Sequence, residues 1–186
     1  MNFQDVFASF PALESDRLLM RQVESDDAAS LYKNFATLQG DRFWDLQHRS
    51  VQDARQHIDL IHTWYQEKRL LWWAITLKGE RDVIGSCSLY DFERESRAEI
   101  GYWLSRHKQG IGIATEAVQR VVRFGFSGLS LHRIQASFHP QNHAAVAVVK
   151  RAGFREEGLL REYEPGRSGW RDCLMFSRLK RDASDS

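Results

Sequence analysis

The residues best suited to chemistry stand in one run, Arg106-His107-Lys108-Gln109-Gly110-Ile111-Gly112-Ile113-Ala114-Thr115-Glu116-Ala117. Two glycines one residue apart let the backbone turn tightly and bring bare N–H groups against a ligand. A helix pattern follows from Ala117 to Phe126, and its N-terminus adds unpaired N–H groups and the positive end of a macrodipole. Such a loop is suited to holding phosphate. Two nucleotide fingerprints fit it poorly. A mononucleotide P-loop needs Lys-Ser/Thr directly after its last glycine, where Ile113-Ala114 stands. A dinucleotide loop needs G-x-G-x-x-G/A, but Thr115 occupies the last small position, and about half the chain precedes a motif that normally opens the first βαβ unit. Taken alone, Gly110 and Gly112 also fit an ordinary loop-to-helix turn.

Other reactive side chains are sparse. Cys87 and Cys173 are too few for a disulfide framework and wrongly spaced for zinc. Cys87 lies in an apolar run and reads as a small core residue rather than a nucleophile. His48 and His62 have no partner at ligand spacing and read as surface or rim residues, so no metal site is expected. Phe43-Trp44, Trp64-Tyr65 and Trp72-Trp73 supply large aromatic surfaces, most of which belong in a core.

The elements that must position the loop can be read from periodicity. Arg17 to Arg21 reads as a strand, and Ser25-Asp26-Asp27 opens a helix to about Ala36. Ser50 and Asp53 form a capping box before an amphipathic helix to about Arg69, on which Val51, Ala54, Ile58, Ile61 and Tyr65 recur. Three strands follow, Leu71 to Leu77, Val83 to Tyr90 and Ala98 to Leu104, joined by turns short enough to require an antiparallel meander. After the glycine loop and its helix, Arg133 to Phe138 makes a strand and Asn142 caps a short helix ending near Gly153. Strands from Phe154 to Tyr163 and Trp170 to Leu179 close the pattern around the turn Glu164 to Gly169. The expected fold is one α+β domain over residues 1–186, with a core over about 13–179 and frayed termini. Its mixed, mostly antiparallel twisted sheet has about six to seven strands and about four flanking helices.

Composition is that of an ordinary globular chain, with 42% hydrophobic and 27% charged residues and a net charge of +1 over 186 residues. That balance gives no nucleic-acid footprint. No apolar run approaches membrane-spanning length, and the first residues lack the basic and apolar regions of a secretory signal. A cytoplasmic setting with no membrane partner is expected, and a homodimer is left open.

The order of elements, with Gln109-Gly110-Ile111-Gly112-Ile113-Ala114 between the fourth expected strand and the third expected helix, resembles the GNAT superfamily of N-acetyltransferases. Asn142-His143-Ala144-Ala145-Val146-Ala147-Val148-Val149-Lys150-Arg151-Ala152-Gly153-Phe154 is similar to the family's N-to-GF helix at the expected separation. Leu13 to Arg21, Ala98-Glu99-Ile100-Gly101-Tyr102-Trp103-Leu104, Ala114-Thr115-Glu116-Ala117 and Trp170-Arg171-Asp172 resemble the ribosomal-protein N-terminal (Rim-type) acetyltransferases. The resemblance runs from about Leu13 to Leu179.

It implies an acetyl-CoA donor and direct acetyl transfer to a primary amine. The α-amino group of a protein such as a ribosomal protein is the first acceptor implied. A small-molecule amine (polyamine, antibiotic or amino acid derivative) is the alternative, and a non-catalytic acyl-CoA-binding module or a nucleotide-dependent oxidoreductase belongs to other classes. The implied cofactor contacts are the backbone of Gln109, Gly110, Ile111, Gly112, Ile113 and Ala114, the Thr115 hydroxyl, the strand backbone at Trp103 and Leu104, and Asn142, which also serves as a helix N-cap. Glu99, flanked by apolar residues, is the implied base; the alternative is an ion pair with Arg94 or Arg97, or a solvated strand end. The Leu104 N–H is the implied oxyanion donor. Many relatives carry Tyr where Val149 stands, and the Rim-type proteins carry Ser where Ala145 stands. Proton delivery to the leaving thiolate therefore falls to Tyr163, to water or to no acid at all, with a core or rim position as the other reading of Tyr163.

Overall fold

Apolar and aromatic residues of high strand propensity fill the middle of the chain, and there the sheet begins. In the computed structural model, which describes residues 3–38, 48–94, 96–166 and 169–183, strands β3 (Leu70–Leu77), β4 (Gly85–Glu93) and β5 (Arg97–Leu104) form the expected antiparallel meander. The described residues make an eight-stranded mixed sheet in the order β1-β2-β3-β4-β5-β6-β8-β7. Its other members are β1 (Leu13–Glu14), β2 (Leu18–Gln22), β6 (Arg133–Phe138), β7 (Arg155–Gly166) and β8 (Gly169–Leu179). Five α-helices flank it, α1 (Phe3–Ala8), α2 (Ala28–Phe35), α3 (Val51–Gln66), α4 (Ile113–Ser127) and α5 (His143–Arg151).

Side-chain alternation along β5 sorts the two faces. Ala98, Ile100 and Leu104 enter the core cluster that α1, α4 and α5 cover, whereas Trp103 enters the cluster beneath α2 and α3. All strand pairs are antiparallel except β5 with β6, which pair in parallel only at Arg97, Ala98 and Glu99. Beyond Glu99 the two strands diverge. Ser105 N–H donates to the Ile84 carbonyl on the β4 side, 2.8 Å away. By the two-residue alternation of an antiparallel ladder, the main-chain groups of Tyr102 and Leu104 therefore point the other way, into the wedge between β5 and β6, while those of Trp103 face β4.

Several local expectations are corrected. The strand count is eight and the helix count five, because the short β1 and α1 lie in residues with weak patterning. The N-terminus is not frayed over α1: Val6 is fully buried, and its carbonyl accepts a hydrogen bond from Tyr65 at 3.0 Å. Helix α3 is capped as expected, Ser50 accepting from the Asp53 N–H at 3.1 Å, but it stops at Gln66 because Lys68 turns left-handed with φ 59°. The last turn is shorter than expected, and a register irregularity between Leu160 and Glu164 precedes the strand position of Glu164. No helix among the described residues is long and apolar enough to cross a membrane.

Candidate active site

The glycine loop turns because Gly110 and Gly112 adopt φ of 82° and 84°, conformations costly for side-chain-bearing residues. Gly112 is the N-cap of α4, so the unpaired N–H groups of that helix open onto the loop. Two side chains fix the loop from outside. The Gln109 amide donates to the Leu104 carbonyl at 2.9 Å, tying the loop to the end of β5. Arg17 on the far side donates to the Ile111 carbonyl at 2.9 Å and to Glu116, in the first turn of α4, at 2.6 Å. Glu116 also accepts from the Ser15 hydroxyl at 2.7 Å and the Arg17 N–H at 2.9 Å. Partial burial alone would raise the Glu116 carboxyl, but these hydrogen bonds outweigh it and hold the group below the ordinary carboxylate range.

Between this loop, β5, β6 and α5 runs a groove of about 460 Å³. Leu104, Gln109, Gly110, Gly112, Ile113, Ala114 and Thr115 line one end, and Tyr102, Phe138, Asn142 and Ala145 line the other. Ile111 is exposed and is not part of the lining. Asn142 caps α5 by accepting from the Ala145 N–H at 3.2 Å. The Tyr102 hydroxyl donates to the Ala145 carbonyl at 2.8 Å, so a phenol from β5 stands beside the position where α5 itself has no hydroxyl. Burial keeps that phenol protonated well above its ordinary range.

Glu99 is buried at the point where the wedge opens, with 8% of its surface exposed. Arg97 pairs with Glu93, and Glu99 instead accepts from the Ser137 hydroxyl at 2.6 Å, Tyr90 at 3.2 Å and the Gln135 amide at 3.3 Å. The Ser137 oxygen also lies 3.0 Å from a carboxyl oxygen of Glu164. A hydroxyl has one proton to donate, so this chain of three oxygens has room for one further proton that would complete both hydrogen bonds. Glu164 lines the groove and is half-exposed, giving the chain a route to solvent. Tyr163, by contrast, is 44% exposed and lines neither this groove nor the second cavity.

The second cavity, about 360 Å³, lies on the α2/α3 face of the sheet. It shares Tyr90, Gly101, Tyr102 and Trp103 with the groove, so the two meet across β5. A Cβ on Gly101 would come within 3.1 Å of the Tyr90 ring, which explains the small residue there. Trp64 and Trp72 line the cavity, whereas Tyr65 and Trp73 pack against the opposite core and Phe43-Trp44 lie outside the described residues. His48 is not a surface residue: it is 1% exposed, and its ring nitrogen lies 3.0 Å from that of His57 on the cavity wall. Burial, reinforced by His48, pushes His57 down to about 4. No cluster of His, Cys, Asp and Glu able to hold a metal occurs among the described residues. Cys87 is buried in the core, where burial raises its thiol, in keeping with a packing role.

A model of the acetyltransferase (GNAT) domain matches residues 17–155. This chain belongs to the GNAT acetyltransferase family. It is 35% identical over 172 residues to the uncharacterized N-acetyltransferase p20 of Bacillus licheniformis, covering 91% of this chain and 97% of that one. It is 25% identical to the [ribosomal protein uS5]-alanine N-acetyltransferase of Escherichia coli, covering 88% of each. The structure of Mycobacterium smegmatis RimJ in complex with CoA-disulfide superposes with a TM-score of 0.78 at 27% identity, covering 91% of this chain and 86% of that one. The GNAT chain is thus an acetyltransferase, and acetyl-CoA is the donor its family uses. The left-handed glycines, the free helix N-terminus and the adjoining groove have the donor set that a pyrophosphate with an extended amide arm requires.

The residues expected from the sequence to meet the donor do converge: Trp103, Leu104, Gln109, Gly110, Gly112, Ile113, Ala114, Thr115 and Asn142 all border the groove. Sequence reasoning missed Arg17, Tyr90, Tyr102, Ser137 and Glu164. Tyr90 meets Glu99 nine residues away across the β4–β5 pair, whereas the other four make contacts between segments distant in the chain, which carry no local signal.

Two measurements follow from this geometry. Arg17→Ala removes the clamp on Ile111 and Glu116, and is expected to raise the acetyl-CoA KM severalfold while the protein stays folded; an unchanged KM would show the loop to be fixed without it. The unfolded chain protonates His57 near 6.5, the folded one only near 4. The folded state therefore loses stability as pH falls through that window. In urea titrations His57→Asn should flatten that acid slope, and an identical slope would contradict the assignment.

Proposed function

We propose that this GNAT protein transfers the acetyl group of acetyl-CoA to a primary amine by direct attack. The observation that carries this reading is the junction of a phosphate-suited groove with a buried carboxyl, Glu99, linked through the Ser137 hydroxyl to the half-exposed carboxyl of Glu164. Acetyl-CoA supplies an activated acyl group; the chain's own residues bind, orient and move protons. The N–H groups from Gly110 to Thr115 and the Asn142-capped helix end hold the donor, and the main chain of Tyr102 orients its arm as an added strand would. The Leu104 N–H faces the negative charge that develops on the acyl oxygen.

An amine is mostly protonated at neutral pH and must shed a proton to complete the transfer. Glu99 accepts that proton, and Ser137 passes one to Glu164, which exchanges with solvent. On the other side of the reacting bond, the Tyr102 hydroxyl gives up its bond to the Ala145 carbonyl and donates its one proton to the leaving sulfur, which substitutes for the hydroxyls that Ala145 and Val149 lack.

The acceptor class supported by the relatives is the α-amino group of a protein N-terminus, since the Escherichia coli relative named above acetylates an alanine of a ribosomal protein. A small-molecule amine is the second reading, favoured by the aromatic-lined cavity on the α2/α3 face. A polyamine fits less well, because Glu93 is taken by Arg97 and Glu99 by neutral partners.

Thiol release from acetyl-CoA across a mixed panel of peptides and amines tests the activity; tight CoA binding with no turnover on any acceptor would sink it. Glu99→Gln should cut kcat by roughly 10²–10⁴. Full rate in that variant would exclude Glu99 as the base. Tyr102→Phe should lower kcat about tenfold, one hydrogen bond's worth, with CoA binding retained, while Tyr163→Phe changes little. The reverse ranking would return the leaving-group role to Tyr163.

A further inference from the structure

The cavity on the α2/α3 face bounds what the acceptor can look like. Among the described residues its walls include the aromatic residues Phe35, Trp64, Trp72, Tyr90 and Trp103, with His57 beside them. Phe35 stands edge-on to Trp103 at 5.0 Å between ring centres, and His57 stands edge-on to Trp72 at 6.3 Å. These contacts fix the rings as packed walls. The polar atoms between them are largely engaged already. The Ser88 hydroxyl donates to the Gly101 carbonyl at 3.3 Å, the Tyr90 hydroxyl donates to Glu99, and one His57 nitrogen is held by His48. Among the described residues the surface left for a ligand is mainly the faces and edges of rings, with charge at Arg69 and Asp91, both exposed.

A volume of about 360 Å³ is within the range of ordinary small-molecule sites. The side chain of an alanine or serine N-terminus would leave most of it empty or wet, which forfeits the burial such a wall offers. A polycation would find ring faces but no buried carboxylate inside it. The cavity adjoins the donor groove, because Gly101 and Tyr90 border both. A group seated among the rings therefore packs on Tyr90, whose hydroxyl donates to Glu99.

We propose that the acceptor carries a large apolar ring, or a side chain of similar bulk, next to its reactive amine, and that this group occupies the cavity walled by Phe35, Trp64, Trp72, Tyr90 and Trp103. Two sources share this chemistry, a peptide with an aromatic or large apolar first residue and a free arylalkylamine. This inference rests on the acetyltransferase reading above. It differs from what the name of the Escherichia coli relative says of its acceptor, an alanine of a ribosomal protein. The contrast is one of pocket chemistry, and the transfer itself would be the same.

The test uses the full chain with acetyl-CoA and reads thiol release. Acceptors are peptides identical except for a first residue of Ala, Ser, Leu, Phe or Trp, together with phenylethylamine, tryptamine and spermidine. The ring-bearing acceptors should exceed the Ala and Ser peptides in kcat/KM by roughly ten- to a hundredfold, the range that pocket filling by an apolar group commands. Whether the ring peptides or the ring amines rank first identifies the source. Equal or better turnover of the Ala peptide, the Ser peptide or spermidine would overturn the inference and leave the acetyltransferase reading standing. Turnover of none would overturn both. Trp64→Ala, at a half-buried wall position, should raise the KM of the best ring acceptor about tenfold or more while the acetyl-CoA KM holds. An unchanged acceptor KM in a variant whose melting temperature still rises with CoA would also overturn it.

Discussion

The structure depends on one interruption of hydrogen bonding. Strands β5 and β6 pair in parallel at Arg97, Ala98 and Glu99 and then separate, which strips the β5 edge of its partner from Ile100 onward. Unpaired main-chain groups are expensive if left dry, about 1–3 kcal/mol each. They persist here because the wedge is a groove open to ligand and solvent, and because one of them, the Leu104 carbonyl, is satisfied by the Gln109 amide. That side chain begins the glycine loop. The same contact that quiets the strand edge thus sets where the phosphate-suited turn begins, and Arg17 fixes the turn from the opposite side.

From this interruption follows a division of labour across β5. Its α4-side residues, Ala98, Ile100 and Leu104, hold it to the main core, and its main chain at Tyr102 and Leu104 lines the donor groove. Its other face at Gly101 and Trp103 lines the aromatic cavity. A single strand therefore separates the groove from the aromatic cavity while bordering both. Gly101 is the thin point of that wall, since even a methyl group there would press on Tyr90. Rigid walls on both sides suit a direct transfer, in which the reacting atoms must be held in register rather than passed through a covalent enzyme intermediate.

What the sequence revealed and what it hid divide along the distance between partners. Gly110 and Gly112 were legible because a positive φ is a local property of residue type, and Asn142 because an N-cap is satisfied three residues away. The meander was legible because short polar turns leave no other connection. The Arg17–Glu116 clamp joins residues separated by 99 positions, and no pattern of either segment hints at it. Ser137 reads as an ordinary strand serine, and Glu164 reads as part of a turn; only the irregularity in β7 and the pairing of β6 with β8 bring them to Glu99. His48 was misread for the same reason, because its burial depends on packing against Phe35 and His57. Helix α1 is too short for periodicity to declare it, and its burial comes from rings contributed by Tyr65 and Phe92.

The environment of Glu99 explains why a buried carboxyl belongs at this point. An ion pair with arginine would favour its charged form and weaken it as a proton acceptor. Hydroxyl and amide partners stabilise it without neutralising it, and Ser137 leaves a place for a proton within the network. Tyr90 links this proton chemistry to the acceptor wall, because its hydroxyl donates to Glu99 while its ring faces the cavity. A ring-bearing acceptor that packs on Tyr90 would therefore bear directly on the residue that holds Glu99, so that acceptor binding and the placing of this carboxyl are joined through one side chain.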